Sequence, residues 1–295
     1  MNTTKGAARA GMLIETDELE RQLDDSRLRV IDCDIMLSVK PEGGYRVESG
    51  RGNWEEEHIP NSIYIDIGKE LSAKHPTLRY MLPTAEHFQH VMSEKGIGDE
   101  HDVVLYARGA NYWATRLYLM FREFGFERVR VLNGAFDKWL SEGRPVTRDV
   151  PSWPSAQFTA ADPAGSFVDK AAVQAVLGND DVCLINALPR AIHSGESFNP
   201  PYGRPGHISG SVNVPFATLI DPETNRFLND DALRQRFDAH EALGADRLIA
   251  YCGGGISATT VAFALRLLGR DDVAVYDGSL SEWGNDPELP MSTAT

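Results

Sequence analysis

With 295 residues, 42% hydrophobic and 24% charged, the chain has the make-up of a globular protein of about two domains. A formal net charge of −14 with no basic run argues against nucleic acid as a partner, and no apolar run approaches the ~20 residues of a membrane helix. Three scattered cysteines, Cys33, Cys183 and Cys252, argue against a disulfide framework or a zinc site and fit a reducing compartment.

The first stretch, "MNTTKGAARAGMLIETDELE", has no apolar segment long enough for a secretory signal. The expectation is a cytoplasmic protein whose first ten or so residues form a loose tail. Cys33 follows the strand-like "LRVID" and reads as a small buried hydrophobe, as does Cys183 within "DVCLINAL". "HIPNSIYI" (His58 to Ile65) comes next, then "DVVLYARGANYWATRLYLMFREFG", a β-rich run, a glycine-containing loop and a helix of about three turns with apolar residues at three and four. "LNGAFDKW" (Leu132 to Trp139) closes this half, and Thr147 to Gly165, with three prolines and little periodicity, reads as a linker. The same motifs then return as "HISGSVNV", "DRLIAYCGGGISATTVAFALRLLG" and "YDGSLSEW", offset by 149 residues at the first and 144 at the last. Chained β-loop-α units predict a mostly parallel sheet with helices on both faces. The expected fold is therefore one α/β domain used twice, over residues 11–146 and 166–295 with a linker at 147–165, and with the paired Trp139 and Trp283 in its cores.

Cys252, Gly253, Gly254, Gly255 and Ile256, followed by Ser257, form the turn from the buried strand "RLIAY" into the helix "SATTVAFALRLLG". In open α/β sheets, ligands gather at the carboxyl ends of strands, where the next helix aims unpaired amides at the site. Glycine takes the positive φ angles that let successive N–H groups converge on one anion. Here that anion is the Cys252 thiolate or a charged sulfur attached to it. A free thiol is only ~10% ionised near pH ~7.5, and roughly 2.7 kcal/mol of differential stabilisation makes it ~90% thiolate. The expectation is an ionised, exposed Cys252. The first half is an internal control: its loop, "YARGANYW", has Ala107 in place of the cysteine and bulky Asn111 and Tyr112 in place of small residues. Arg108, beside Ala107, is placed to reach an anion at the domain interface. A cysteine phosphatase or arsenate reductase wants a longer loop ending in an arginine, and the first arginine after Cys252 is Arg266, well along the helix.

The ordered set "EEHIPNSIYIDI", "MLPTAEHF" and "LNGAFDKW" in the first half, with "GHISGSVNVPF", "CGGGIS" and "YDGSLSEWG" in the second, resembles the tandem rhodanese-like sulfurtransferases nearly end to end. The resemblance implies an inactive first domain and a second carrying one cysteine on a six-residue loop. It also implies ping-pong chemistry, in which Cys252 takes a sulfane sulfur from a small anionic donor and holds it as a persulfide. A thiol acceptor, either a low-molecular-weight thiol or a thioredoxin-like protein, then removes it, and no cofactor or metal is implied. Within the family, loops like C-G-S-G-V-T go with 3-mercaptopyruvate and loops like C-R-K-G-V-T with thiosulfate, so Gly253 favours 3-mercaptopyruvate. The chain departs from the pattern where Gly254 lacks the family serine, Ser257 replaces threonine and Tyr80 stands before "MLP" in place of histidine. The family's substrate arginines fall at Leu188 and Ile192 in "NALPRAIH", and its aspartate at Asn186, so Arg190, His193, Arg204 and Tyr80 become the substrate-binding candidates. His207 in "RPGHISG" reads as bonding its own turn, because its repeat partner His58 sits in the half without a thiol. Loss of the arginines keeps a second reading open, a catalytically weak or inactive rhodanese-like binding or regulatory protein.

Overall fold

The computed structural model describes residues 9–41 and 43–293. Of the tail expected at the N-terminus, residues 1–8 lie outside the described residues, while Arg9 is bonded to Asp230 at 3.0 Å.

The first half contributes β1 (Leu13–Ile14), β2 (Leu28–Asp32), β3 (Ile35–Val39), β4 (Tyr45–Ser49), β5 (Ser62–Tyr64), β6 (Asp102–Tyr106) and β7 (Val129–Leu132). The second contributes β8 (Phe167–Val168), β9 (Val182–Asn186), β10 (His207–Ile208), β11 (Val212–Asn213), β12 (Arg247–Tyr251), β13 (Val273–Tyr276) and β14 (Met291–Ser292). Two five-stranded sheets result, ordered β1-β7-β6-β2-β5 and β11-β9-β12-β13-β8, and every pairing within them is parallel. Read from opposite edges the two orders coincide, with β1 answering β8 and β6 answering β12. The chain is thus two parallel α/β units flanked by helices. Central strands such as β6 and β12 are buried on both faces, as crossover helices require. The β3–β4 hairpin departs from the pattern: it is antiparallel and leaves Leu37, Val39 and Tyr45 exposed.

The helices after the two central strands, Tyr112–Glu123 and Ala258–Leu267, are buried almost all round because each covers its own sheet and meets the other. Thr115 Oγ1 lies 2.9 Å from Thr259 Oγ1, and the rings of Tyr118 and Phe263 meet edge to face at 4.8 Å. Trp139 and Trp283 are fully buried, each donating to a proline carbonyl, Pro145 at 2.9 Å and Pro290 at 3.1 Å. The proline-rich segment between the halves has no regular element from 148 to 166, yet it is packed: Phe158 sits among Phe88, Phe121 and Phe126, and Trp153 lies under the Arg29 guanidinium. Among the described residues no helix is long and apolar enough to cross a membrane.

Candidate active site

Cys252 directly follows β12, whose last residue Tyr251 is paired in register with Asn186 of β9. The back of its loop is held by one hydroxyl. Ser279 Oγ accepts the N–H groups of Cys252 and Gly255, both at 3.1 Å, and donates to the Tyr276 carbonyl at 2.8 Å. Ser279 does this from a left-handed φ of 50°, a conformation few non-glycine residues hold without support. The loop carbonyls are held too: Leu280 N–H donates to Cys252 at 3.1 Å and Ser281 N–H to Gly253 at 2.8 Å. Among the described residues no acceptor meets the N–H groups of Gly253, Gly254, Ile256 or Ser257, so the loop that carries the thiol keeps donors an anion could use. Only Gly255 of the three glycines has a positive φ, 75°, and a Cβ there would stand 2.5 Å from the Asp277 carbonyl oxygen. Its amide is spent on Ser279 rather than on the sulfur.

The loop is also held from the other half. Arg116, wholly buried on the helix Tyr112–Glu123, donates to Asp277 Oδ1 at 2.7 Å, to the Gly255 carbonyl at 3.2 Å and to the Tyr80 carbonyl at 2.5 Å. The second Asp277 oxygen accepts Leu82 N–H at 2.7 Å. A buried charge is tolerable only when paired and hydrogen-bonded, and this arginine and aspartate each meet a charge and further backbone groups.

The expected exposed thiol is corrected here: Cys252 is 2% exposed. It is covered by a strap, Asn199–Arg204, that carries Tyr202 over the loop. Cys33 is fully buried and its thiol is pushed well up by burial, while Cys183 is half-buried with its thiol raised for the same reason.

The other candidates scatter. The Arg204 guanidinium is occupied by the carbonyls of Gly284, Asp286 and Leu289 at 3.2, 2.6 and 2.8 Å, so it clamps the C-terminal segment to the strap. Arg190 opens a one-turn helix and is exposed. His193 stacks on His207 at 3.8 Å, and burial, with the charge of His207 next, lowers it to about 4, which leaves it neutral. His207 Nδ1 donates to the His193 carbonyl at 2.8 Å. Tyr80 takes a φ of 62° and turns its ring edge-on to Trp113, with its phenol pushed up to about 12 by burial. It touches the loop's support through its carbonyl on Arg116. Leu188 is in the core, its N–H bonded to Asn186 Oδ1 at 2.8 Å, so no anion is anchored there. Arg108 turns to its own half, donating to the Asn53 and Glu57 carbonyls and lying 4.2 Å from the Phe136 ring centroid.

Four further residues serve the site: Ser279, Asp277, Arg116 and Tyr202. For the first three a signal was available, since the repeat places Ala135 opposite Ser279, Asn133 opposite Asp277 and Thr260 opposite Arg116.

Two parallel sheets of identical order, a cysteine on the central strand-to-helix loop of one and Ala107 in the other, define a tandem rhodanese architecture. The rhodanese-like domain family matches residues 15–142 and 194–286, and the chain belongs to that family. It is 31% identical to a probable 3-mercaptopyruvate sulfurtransferase of Pseudomonas aeruginosa over 96% of this chain and 99% of that protein. It is 35% identical to the thiosulfate sulfurtransferase of Rattus norvegicus over 79% of each. Among solved structures, SseA of Escherichia coli superposes with a TM-score of 0.80 at 26% identity, covering 90% of this chain and 98% of that one. The chain is an enzyme of the sulfurtransferase class.

Proposed function

We propose that the chain moves a sulfane sulfur from a small donor, 3-mercaptopyruvate in preference to thiosulfate, to a thiol acceptor through a persulfide on Cys252. The observation that carries this reading is one cysteine at the C-terminal end of a central strand, on a loop several of whose amides have no acceptor among the described residues. In the first step the Cys252 thiolate attacks the donor sulfur, an S–S bond forms and the C–S bond breaks. The electron pair leaves on carbon as the enolate of pyruvate, which takes a proton from solvent. In the second step an acceptor thiolate attacks the outer sulfur, leaves with it as a new persulfide and returns Cys252 as thiolate. Low-molecular-weight thiols and thioredoxin-like proteins are the acceptors this chemistry suits.

The preference rests on Gly253, where a cation for the sulfonate end of thiosulfate is missing, and the amides of Gly254, Ile256 and Ser257 receive the charged sulfur. Arg190 remains a candidate for the donor's carboxylate, and Tyr80 acts through its carbonyl. We place the catalytic unit at 166–295 and the unit without a thiol at 11–146, joined by 147–165, in a cytoplasmic protein. A second reading, a rhodanese-like binding protein with a weak thiol, is favoured by the covered Cys252 and the apolar Leu188. Intact-mass measurement after incubation with 3-mercaptopyruvate or thiosulfate decides between them. A single-sulfur adduct of about +32 Da that is lost in Cys252→Ser supports the enzyme, and no adduct from either donor supports the binding protein.

A further inference from the structure

The residue after the thiol is glycine for a reason that lies outside its loop. Gly253 has no positive φ, so backbone conformation does not ask for it. A Cβ there would stand 2.2 Å from Cζ, 2.3 Å from Cε1 and 2.3 Å from the hydroxyl oxygen of Tyr202, distances no real contact reaches. The tip of the tyrosine fills the volume into which a side chain at the second loop position would project.

Tyr202 is held there from several sides. Its N–H donates to the Asn199 carbonyl at 2.9 Å, and Asn285 Nδ2 donates to the Pro201 carbonyl at 3.3 Å. Gly203, at a φ of 79°, backs onto Gly284, where a Cβ would meet the carbonyl at 2.3 Å, and Arg204 fixes the end of the strap through its three carbonyl bonds. On the far side the tip of the β3–β4 hairpin closes in: a Cβ on Gly43 would stand 2.9 Å from Pro200 Cδ, and one on Gly44 3.3 Å from Pro201 Cγ. The strap is therefore gripped by both halves of the molecule. Burial, and after it the neighbouring Cys252, push the Tyr202 phenol up, with the Asn199 and Tyr45 side chains also beside its hydroxyl, so it keeps its proton and toward an anion it can only donate.

We propose that Tyr202 is a catalytic residue of this sulfur transfer, its phenol O–H donating a hydrogen bond to the sulfur carried on Cys252 and its ring taking the place of a charged side chain at the second loop position. The inference rests on the sulfurtransferase reading. No proton leaves the phenol in either step. The hydrogen bond is strongest when the sulfur is charged, which favours the thiolate before attack and the thiolate released when the acceptor departs. The ring, for its part, denies the site a second-position cation.

The test uses the full-length chain and Tyr202→Phe, which keeps the cover and removes only the donor. Cys252 alkylation by iodoacetamide, followed by peptide mapping, should be about tenfold slower in the variant at neutral pH, the effect of one charge-assisted hydrogen bond. The two proteins should react alike near pH ~10, where a thiol ionises unaided. Equal rates at neutral pH overturn the proposal. Persulfide formation is followed in parallel by mass. If the wild type forms the persulfide and Tyr202→Phe forms it at the same rate, Tyr202 is not catalytic while the sulfurtransferase reading stands. If the wild type forms none with either donor but the alkylation rates differ, that reading falls and the contact between phenol and sulfur survives. Gly253→Ala checks the placement: it should lower the melting temperature and cut sulfur transfer severalfold, and with Tyr202→Gly added the losses in melting temperature should be less than additive, while sulfur transfer stays low because the donor is gone. A neutral Gly253→Ala would show that the ring stands elsewhere.

Discussion

Gly254 and Gly255 are adjacent and alike in sequence, but they do different work. Gly255 holds a φ of 75° with the Asp277 carbonyl 2.5 Å from where a Cβ would go, whereas a Cβ on Gly254 would meet only the Ser281 hydroxyl at 3.8 Å. Gly255→Ala should therefore cost about 1 kcal/mol or more and slow sulfur transfer, while Gly254→Ala should leave both nearly unchanged. Urea denaturation and a persulfide assay on the pair check this, and equal behaviour of the two variants would contradict it. Asp32, in the half without a thiol, ties stability to pH. Burial, joined by the charge of Asp34, raises its carboxyl to about 7, and its Oδ2 has no partner. Its folded value lies above the unfolded ~3.9, so the stability tied to the protonated form is complete below about pH 4 and is lost as pH rises through about 7. The repeat already contains the remedy, because Asn186 in the matching position makes the same bond to the amide two residues on. Asp32→Asn should remove this contribution, so that its stability relative to the wild type rises between about pH 4 and 7 and gains on the order of a few kcal/mol by pH ~8. Denaturation curves across that range, with the slope unchanged in the variant, would rule it out.

At the scale of elements, the two strand-to-helix loops show how one backbone plan is closed in one half and left open in the other. In the first, Asn111 Oδ1 takes the Ala107 N–H at 2.8 Å and Asp137 Oδ2 takes the Gly109 N–H at 2.6 Å, so carboxylate and amide side chains of the same half already occupy the donors. In the second, Ser279 ties the loop down from behind and leaves other amides without an acceptor. Ser279→Ala, the residue the first half uses at Ala135, would orphan two buried N–H groups at about 1–3 kcal/mol each. We expect a lower melting temperature and a larger loss in kcat than in KM, since the sulfur's surroundings change more than the donor's approach. A variant with wild-type kcat would mean that the loop keeps its shape without this hydroxyl.

Across the whole molecule, the halves meet about an approximate twofold axis through Thr115 and Thr259, which are equivalent in the repeat and in contact. Each half also lends an amide to the other: Phe227 N–H reaches Asn133 Oδ1 at 3.0 Å, and Leu82 N–H reaches Asp277 Oδ2 at 2.7 Å. At this interface the symmetry breaks where the thiol is served, with Arg116 and Asp277 on one side and Thr260 and Asn133 on the other. The half without a thiol thus supplies a buried support for the catalytic loop. Arg116→Met leaves Asp277 buried and unpaired, and should cost about 3–5 kcal/mol. Adding Asp277→Asn, which copies the other side, should restore part of that stability without restoring sulfur transfer. Chemical denaturation of the two variants measures the coupling, and additive losses would show that the pair is not a unit.

The sequence by itself determined the doubled α/β fold, the central strand-to-helix turn and the asymmetry between Cys252 and Ala107. These are short-range patterns: apolar periodicity, glycine at a turn and motifs returning at a fixed offset are written within a few residues of one another. Ser279, Asp277 and Arg116 leave a trace in their contrast with Ala135, Asn133 and Thr260, but that contrast assigns them no role. Only the tertiary structure decided that Cys252 is covered, that Arg204 is spent on the C-terminal carbonyls and that Leu188 belongs to the core. It alone placed Arg116 behind the loop, 139 residues from Gly255 and 161 from Asp277, and Tyr202 in front of it. Contacts across such separations leave no local signature, because the direction and burial of those side chains are fixed only when the strap folds over the loop and the two halves dock.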